Sequence, residues 1–111
     1  GKLNGYSLRV PTPDVSIVDM SCLLKRSVTK DEINAIFKEA SQNGYKGLVE
    51  YDEDMRVSSD FIGSTFSAIF VPDSTQVVDG DMVKIVAWYD NEWGFSCKVL
   101  DSIAAMKKVN G

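Results

Sequence analysis

A chain of 111 residues is the size of one ordinary domain, and its 44% hydrophobic and 25% charged content matches a folded globular protein, excluding a multidomain enzyme and a disordered chain. Twelve Lys and Arg against sixteen Asp and Glu leave a net charge of −4 with no basic stripe, which excludes binding nucleic acid by phosphate neutralisation. No apolar run approaches the ~20 residues that span a bilayer, and Gly1-Lys2-Leu3-Asn4-Gly5 lacks a signal-peptide core, so neither membrane nor nucleic acid is an expected partner and a cytosolic location is expected.

The first predicted element is a strand over Tyr6-Ser7-Leu8-Arg9-Val10, where apolar and polar residues alternate. Pro11-Thr12-Pro13-Asp14 stops it as a rigid extended connection. A longer strand follows from Val15 to Leu24, with Val18, Met20, Cys22 and Leu24 on its apolar face. Thr29-Lys30-Asp31-Glu32 has the pattern of a capping box, and Ile33, Ile36, Phe37 and Ala40 recur at helical spacing, with Gly44 placed for a left-handed cap. The acidic stretch Glu50, Asp52, Glu53, Asp54 reads as a solvated turn.

Short extended pieces are predicted around Leu48 to Tyr51 and Phe66 to Val71, the latter with Phe66, Ala68 and Phe70 on one face. Gly63-Ser64-Thr65 has neither the glycine spacing nor the Lys-Ser/Thr ending of a phosphate loop and reads as a turn. A turn at Pro72-Asp73-Ser74 and an extended stretch from Thr75 to Val78 lead to the turn Asp79-Gly80-Asp81. Met82 to Tyr89 is a central strand, with Val83, Ile85, Ala87 and Tyr89 on one side. Asp90 and Asn91 can cap a last helix from about Glu92 or Trp93 to Lys108, its buried side formed by Val99, Leu100, Ile103 and Met106. The expected class is α+β: a mainly antiparallel sheet covered on one face by two helices.

With no His, the chain holds no imidazole for acid–base work. Cys22 and Cys97 form no C-x-x-C pair, so neither a metal site nor a dithiol is indicated. Two residues stand out for binding. Asn91, at a strand-to-helix junction among aromatic residues, offers both a donor and an acceptor to a ligand carboxamide, unless it or Asp90 is simply the helix cap. Arg9, followed by Pro-Thr-Pro, offers a fixed fork to a phosphate or carboxylate, unless it pairs with one of the chain's own carboxylates.

Leu8-Arg9-Val10-Pro11-Thr12-Pro13, Val57-Ser58-Ser59-Asp60-Phe61 and Trp88-Tyr89-Asp90-Asn91-Glu92-Trp93-Gly94-Phe95-Ser96 closely resemble, in order and spacing, the glyceraldehyde-3-phosphate dehydrogenase family. The resemblance covers about Lys2 to Lys108 and implies that residues 1–111 are the C-terminal part of a catalytic domain. The dinucleotide-binding domain, the Ser-Cys-Thr-Thr-Asn-Cys nucleophile segment and the His base of the family are absent. It assigns Arg9 to an anion, either the phosphate of glyceraldehyde 3-phosphate or attacking inorganic phosphate, and Asn91 to the nicotinamide carboxamide of NAD.

It assigns no catalytic residue and no metal to this chain, which alone is expected to be inactive. The intact parent would be a glycolytic enzyme that oxidises and phosphorylates an aldehyde, a tetramer whose dinucleotide domain packs on the last helix. Phe95 stands where the family commonly has Tyr, and Cys97-Lys98 where Asn-Arg is frequent; Cys97 lacks the nucleophile's surroundings. A fragment of erythrose-4-phosphate dehydrogenase and a stand-alone binding or assembly module are the alternatives.

Overall fold

The computed structural model describes residues 1–110. Its elements are β1 (Ser16–Leu23), α1 (Lys30–Gln42), β2 (Val49–Tyr51), β3 (Ala68–Phe70), β4 (Gln76–Val78), β5 (Met82–Tyr89) and α2 (Trp93–Asn110), with 3-10 turns at Ser58–Phe61 and Pro72–Ser74. The class is α+β, and the sheet is mainly antiparallel: β1 pairs β5 along its whole length, β3 and β4 both pair β5, and only β2 and β3 run parallel. β5 is the central strand, as its alternation predicts.

β3, the Pro72–Ser74 turn and β4 form one interrupted strand beside β5, with Ile69 opposite Trp88 and Val78 opposite Met82. Proline removes a ladder donor and the chain detours for three residues before pairing resumes. Asp79 (φ 51°) and Gly80 (φ 85°), both left-handed, are the first two of the three residues that connect the paired Val78 and Met82 and close the β4–β5 hairpin.

The sheet buries different groups on its two faces. On one, Phe70 stacks on Phe37 of α1 with ring centroids 4.0 Å apart, and Tyr51 lies beside it. On the other, Ile69 packs with Val15, Phe61, Phe66 and Trp88. Phe66 therefore belongs to the face opposite Phe70, contrary to the predicted shared face. The strand starts only at Ala68, so the alternation does not extend back to Phe66.

α1 starts as the sequence predicts. The Thr29 hydroxyl accepts from the Glu32 amide at 3.1 Å and the Glu32 carboxylate accepts from the Thr29 amide at 2.8 Å, which holds the Glu32 carboxyl below the ordinary carboxylate range. Its end differs: the positive φ falls on Gly47 (78°) rather than Gly44, because Asn43 terminates the helix with its amide on the Glu39 and Ala40 carbonyls. Ile36 is exposed and Ile33, Phe37 and Ala40 are half-buried, so the covered stripe is narrower than the predicted face.

Two further expectations are corrected. No strand forms over Tyr6 to Val10; residues 1–13 are exposed and irregular and pair with no strand of the sheet, although the outer edge of β1 is open. A strand needs a neighbour for its amides, whatever its alternation. Among the described residues of α2 only Gly94 is buried, and the predicted inward residues Val99, Leu100, Ile103 and Met106 are exposed. β1, paired on one edge only, exposes Val18 and Met20 and leaves Cys22 half-buried instead of in a core. No helix among the described residues is long and apolar enough to cross a membrane.

Candidate functional site

The junction between β5 and α2 is built around Asp90, which is 2% exposed. Its Oδ1 accepts from the amides of Glu92 (3.1 Å) and Trp93 (2.8 Å), and its Oδ2 from the amide of Gly63 (2.8 Å). Asp90 is thus the helix cap that the sequence left open between two residues, and it also clamps the turn at Gly63 to the helix start. Burial alone would raise its pKa, but the amides of Gly63, Trp93 and Glu92, with a contribution from the Asp14 side chain, outweigh that and hold the carboxyl below its usual value.

The first turn of α2 is fixed a second way. A Cβ on Gly94 would sit 2.8 Å from the Phe66 carbonyl oxygen, so only glycine allows the helix backbone to approach this loop. Lys98, one turn on, donates to the Gly47 carbonyl at 3.2 Å and to Asp101 at 2.8 Å.

With Asp90 serving as the cap, Asn91 is released from that task. It is exposed, and its Oδ1 accepts from the Ser16 hydroxyl at 3.0 Å. Ser16 opens β1 opposite Tyr89. The preceding Val15 has φ 71°, a strained value for a β-branched residue, with its amide donated to Asp14 Oδ1 at 2.7 Å and its side chain in the core. The segment Asp14-Val15-Ser16 is therefore seated against Asp90 and Asn91.

Arg9 lies upstream on the same connection, exposed, with no side-chain hydrogen bond or ion pair among the described residues. The pairing with a carboxylate of this chain, open from sequence, is not formed. Asn91 and the segment leading away from Arg9 are brought together, while Arg9 itself is held by nothing in the described residues. Trp93 and Phe95 are exposed, whereas Trp88 is packed near Phe61 at 6.0 Å. The aromatics of this motif therefore divide between core and open surface.

A charged cluster that the sequence reading missed lies behind the junction. Arg56 donates from Nε to Asp52 (2.8 Å) and from a terminal nitrogen to Glu50 (2.6 Å), and its guanidinium covers the Phe61 ring at 4.7 Å. Asp52 is 3% exposed and its Oδ2 has no hydrogen-bond partner among the described residues. The expected solvated acidic turn holds for Glu53 and Asp54, which are exposed, and fails for Asp52, because Arg56 returns to cover it. The four-residue spacing of Asp52 and Arg56 was the available signal.

Shallow depressions lined by Lys38, Tyr51 and Glu53, and by Arg56, Phe61 and Gly63, include neither Arg9 nor Asn91. No cluster of three or more His, Cys, Asp or Glu side chains suited to a metal is present among the described residues.

The family model described as glyceraldehyde 3-phosphate dehydrogenase, C-terminal domain, matches residues 1–91. Glyceraldehyde-3-phosphate dehydrogenase of Schistosoma mansoni is 50% identical over 99% of this chain, that of Phytophthora infestans 51% over 97%, and the cytosolic enzyme of Pinus sylvestris 49% over 96%. The matches cover 32%, 32% and 31% of those relatives, so the chain spans about a third of the length of the curated relatives it matches. The chain belongs to the glyceraldehyde-3-phosphate dehydrogenase C-terminal domain family.

Proposed function

We propose that this member of the family is the C-terminal portion of the catalytic domain of a phosphorylating, NAD-dependent glyceraldehyde-3-phosphate dehydrogenase. In this reading Arg9 binds an anion, the substrate phosphate or inorganic phosphate, and Asn91 holds the nicotinamide carboxamide. The reactive sulfur, the proton acceptor and the adenosine contacts belong to the rest of a longer subunit. That subunit works as a cytosolic homo-oligomer, a tetramer by family resemblance.

The observation that carries the reading is the division of labour at the junction: Asp90 satisfies the helix amides, so the exposed Asn91 amide is available to a ligand. A carboxamide, which carries one acceptor and one donor group, is a ligand that an amide side chain can meet. NAD, when bound, accepts hydride; this chain's part is to orient the ring that receives it. Arg9, with five N–H donors and no intrachain partner among the described residues, is free to clamp a phosphate group in two places.

The test is an assay of the full-length subunit beside this chain alone. Phosphate-dependent NAD reduction with glyceraldehyde 3-phosphate is expected from the full-length protein and none from the 111 residues. A full-length protein inactive with that aldehyde but active with erythrose 4-phosphate would replace the substrate. Turnover by the short chain would overturn the assignment of the chemistry to residues outside it.

A further inference from the structure

We infer that Ser16 is a positioning residue for Asn91, turning its amide so that Nδ2, rather than Oδ1, is the group offered to the cofactor. The inference rests on the reading that Asn91 meets the nicotinamide carboxamide, and it adds both the residue that orients Asn91 and the polarity of the contact.

An exposed asparagine amide is nearly symmetric in shape, so without a partner it samples both orientations and offers oxygen or nitrogen alike. Here Oδ1 lies 3.0 Å from the Ser16 hydroxyl, and an amide oxygen can only accept, so the hydroxyl donates. Nδ2 keeps its two hydrogens with no partner among the described residues. A group restricted to donating seeks an acceptor, and in a nicotinamide carboxamide that acceptor is the carbonyl oxygen.

The hydroxyl is a rigid reference point. Ser16 is in register with Tyr89 at the end of the β1–β5 ladder, two residues before Asn91, and the buried Val15 at φ 71° fixes it from the other side. The side-chain bond adds a rung beyond the last backbone pair, and the entropy of ordering the Asn91 amide is lost at folding rather than at ligand binding.

The experiment uses the full-length subunit carrying S16A, S16T, N91A and the S16A/N91A pair. Its readouts are single-turnover hydride transfer with NAD and with the 3-acetylpyridine analogue, which keeps the carbonyl and lacks the amino group, and the Asn91 amide in cofactor-free crystals. S16A is expected to slow hydride transfer about fivefold to tenfold, the scale of one hydrogen bond, with S16T restoring it. The double variant should match N91A alone, the S16A penalty should be equal for both cofactors, and the amide, ordered in the parent, should split between rotamers in S16A.

Wild-type rates in S16A beside an impaired N91A would overturn the inference and leave the reading of Asn91 intact. So would additive penalties in the double variant, or a penalty that vanishes with the acetylpyridine analogue. Unchanged hydride transfer in N91A would overturn both.

Discussion

The two segments that carry the candidate residues are held in opposite ways. At the β5–α2 junction, one buried carboxylate collects three backbone amides, a glycine meets a carbonyl at close range, and the Asn91 amide is bonded to a neighbouring strand. The segment around Arg9 has exposed side chains throughout, and its local backbone bond is the short contact from the Thr12 amide to the Val10 carbonyl at 2.9 Å. These residues suffice to place Asn91, while no contact among the described residues fixes the Arg9 side chain.

The sharpest way to break this contrast is Asp90→Ala, expected to destabilise the full-length subunit by about 3 kcal/mol, since it orphans amides at both the helix start and the Gly63 turn. Urea unfolding at fixed protein concentration measures it; a loss below ~0.5 kcal/mol would mean that the junction is not self-supporting. The same carboxyl sets a pH dependence. Its folded pKa is lowered, so its stabilisation is complete above the unfolded value near ~4 and is lost as pH falls through the folded one. Asp90→Asn should therefore flatten that part of the acid-unfolding curve.

Arg9→Ala should do the reverse, leaving unfolding unchanged while weakening phosphate or substrate use by ~2–3 kcal/mol, the scale of a lost charge-assisted contact. Steady-state constants for both substrates decide it, and unaltered values would remove Arg9 from the anion site. Gly94→Ala is expected to cost about 1–2 kcal/mol, because the added methyl must push the helix off the Phe66 carbonyl. An unaffected melting curve would show that the loop yields. Smallest is Thr29→Ala, at about 1 kcal/mol, which removes one half of the α1 capping box without reaching either candidate residue.

What was legible from sequence was local or periodic. The Thr29–Glu32 box marks the start of α1 within the residues that form it, and the alternation of Met82 to Tyr89 marks a strand whose neighbours lie on both sides. Asp90 was legible as one of two candidate caps, since capping acts over three residues. Tyr6 to Val10 alternates equally well, yet alternation specifies a face and not a partner, and this segment takes no place in the sheet. Burial of Asp52 depended on a return of the chain at Arg56, and the need for glycine at 94 on a carbonyl 28 positions earlier. Contacts of that kind leave no periodic trace. The Ser16–Asn91 bond, 75 residues apart in sequence, is of the same kind.

That separation also dictates an order of events during synthesis. Of the five strands in this sheet β1 leaves the ribosome first, yet its partner β5 is the last of them to be made, and every β1 rung is with β5. Until then Ile17, Val18, Met20 and Leu23 form an apolar ribbon with vacant amides, while β4 and β5 can join as soon as their hairpin emerges. Within this sheet β1 is therefore the strand most open to mispairing and chaperone capture, and closure of its ladder is the step that completes the sheet.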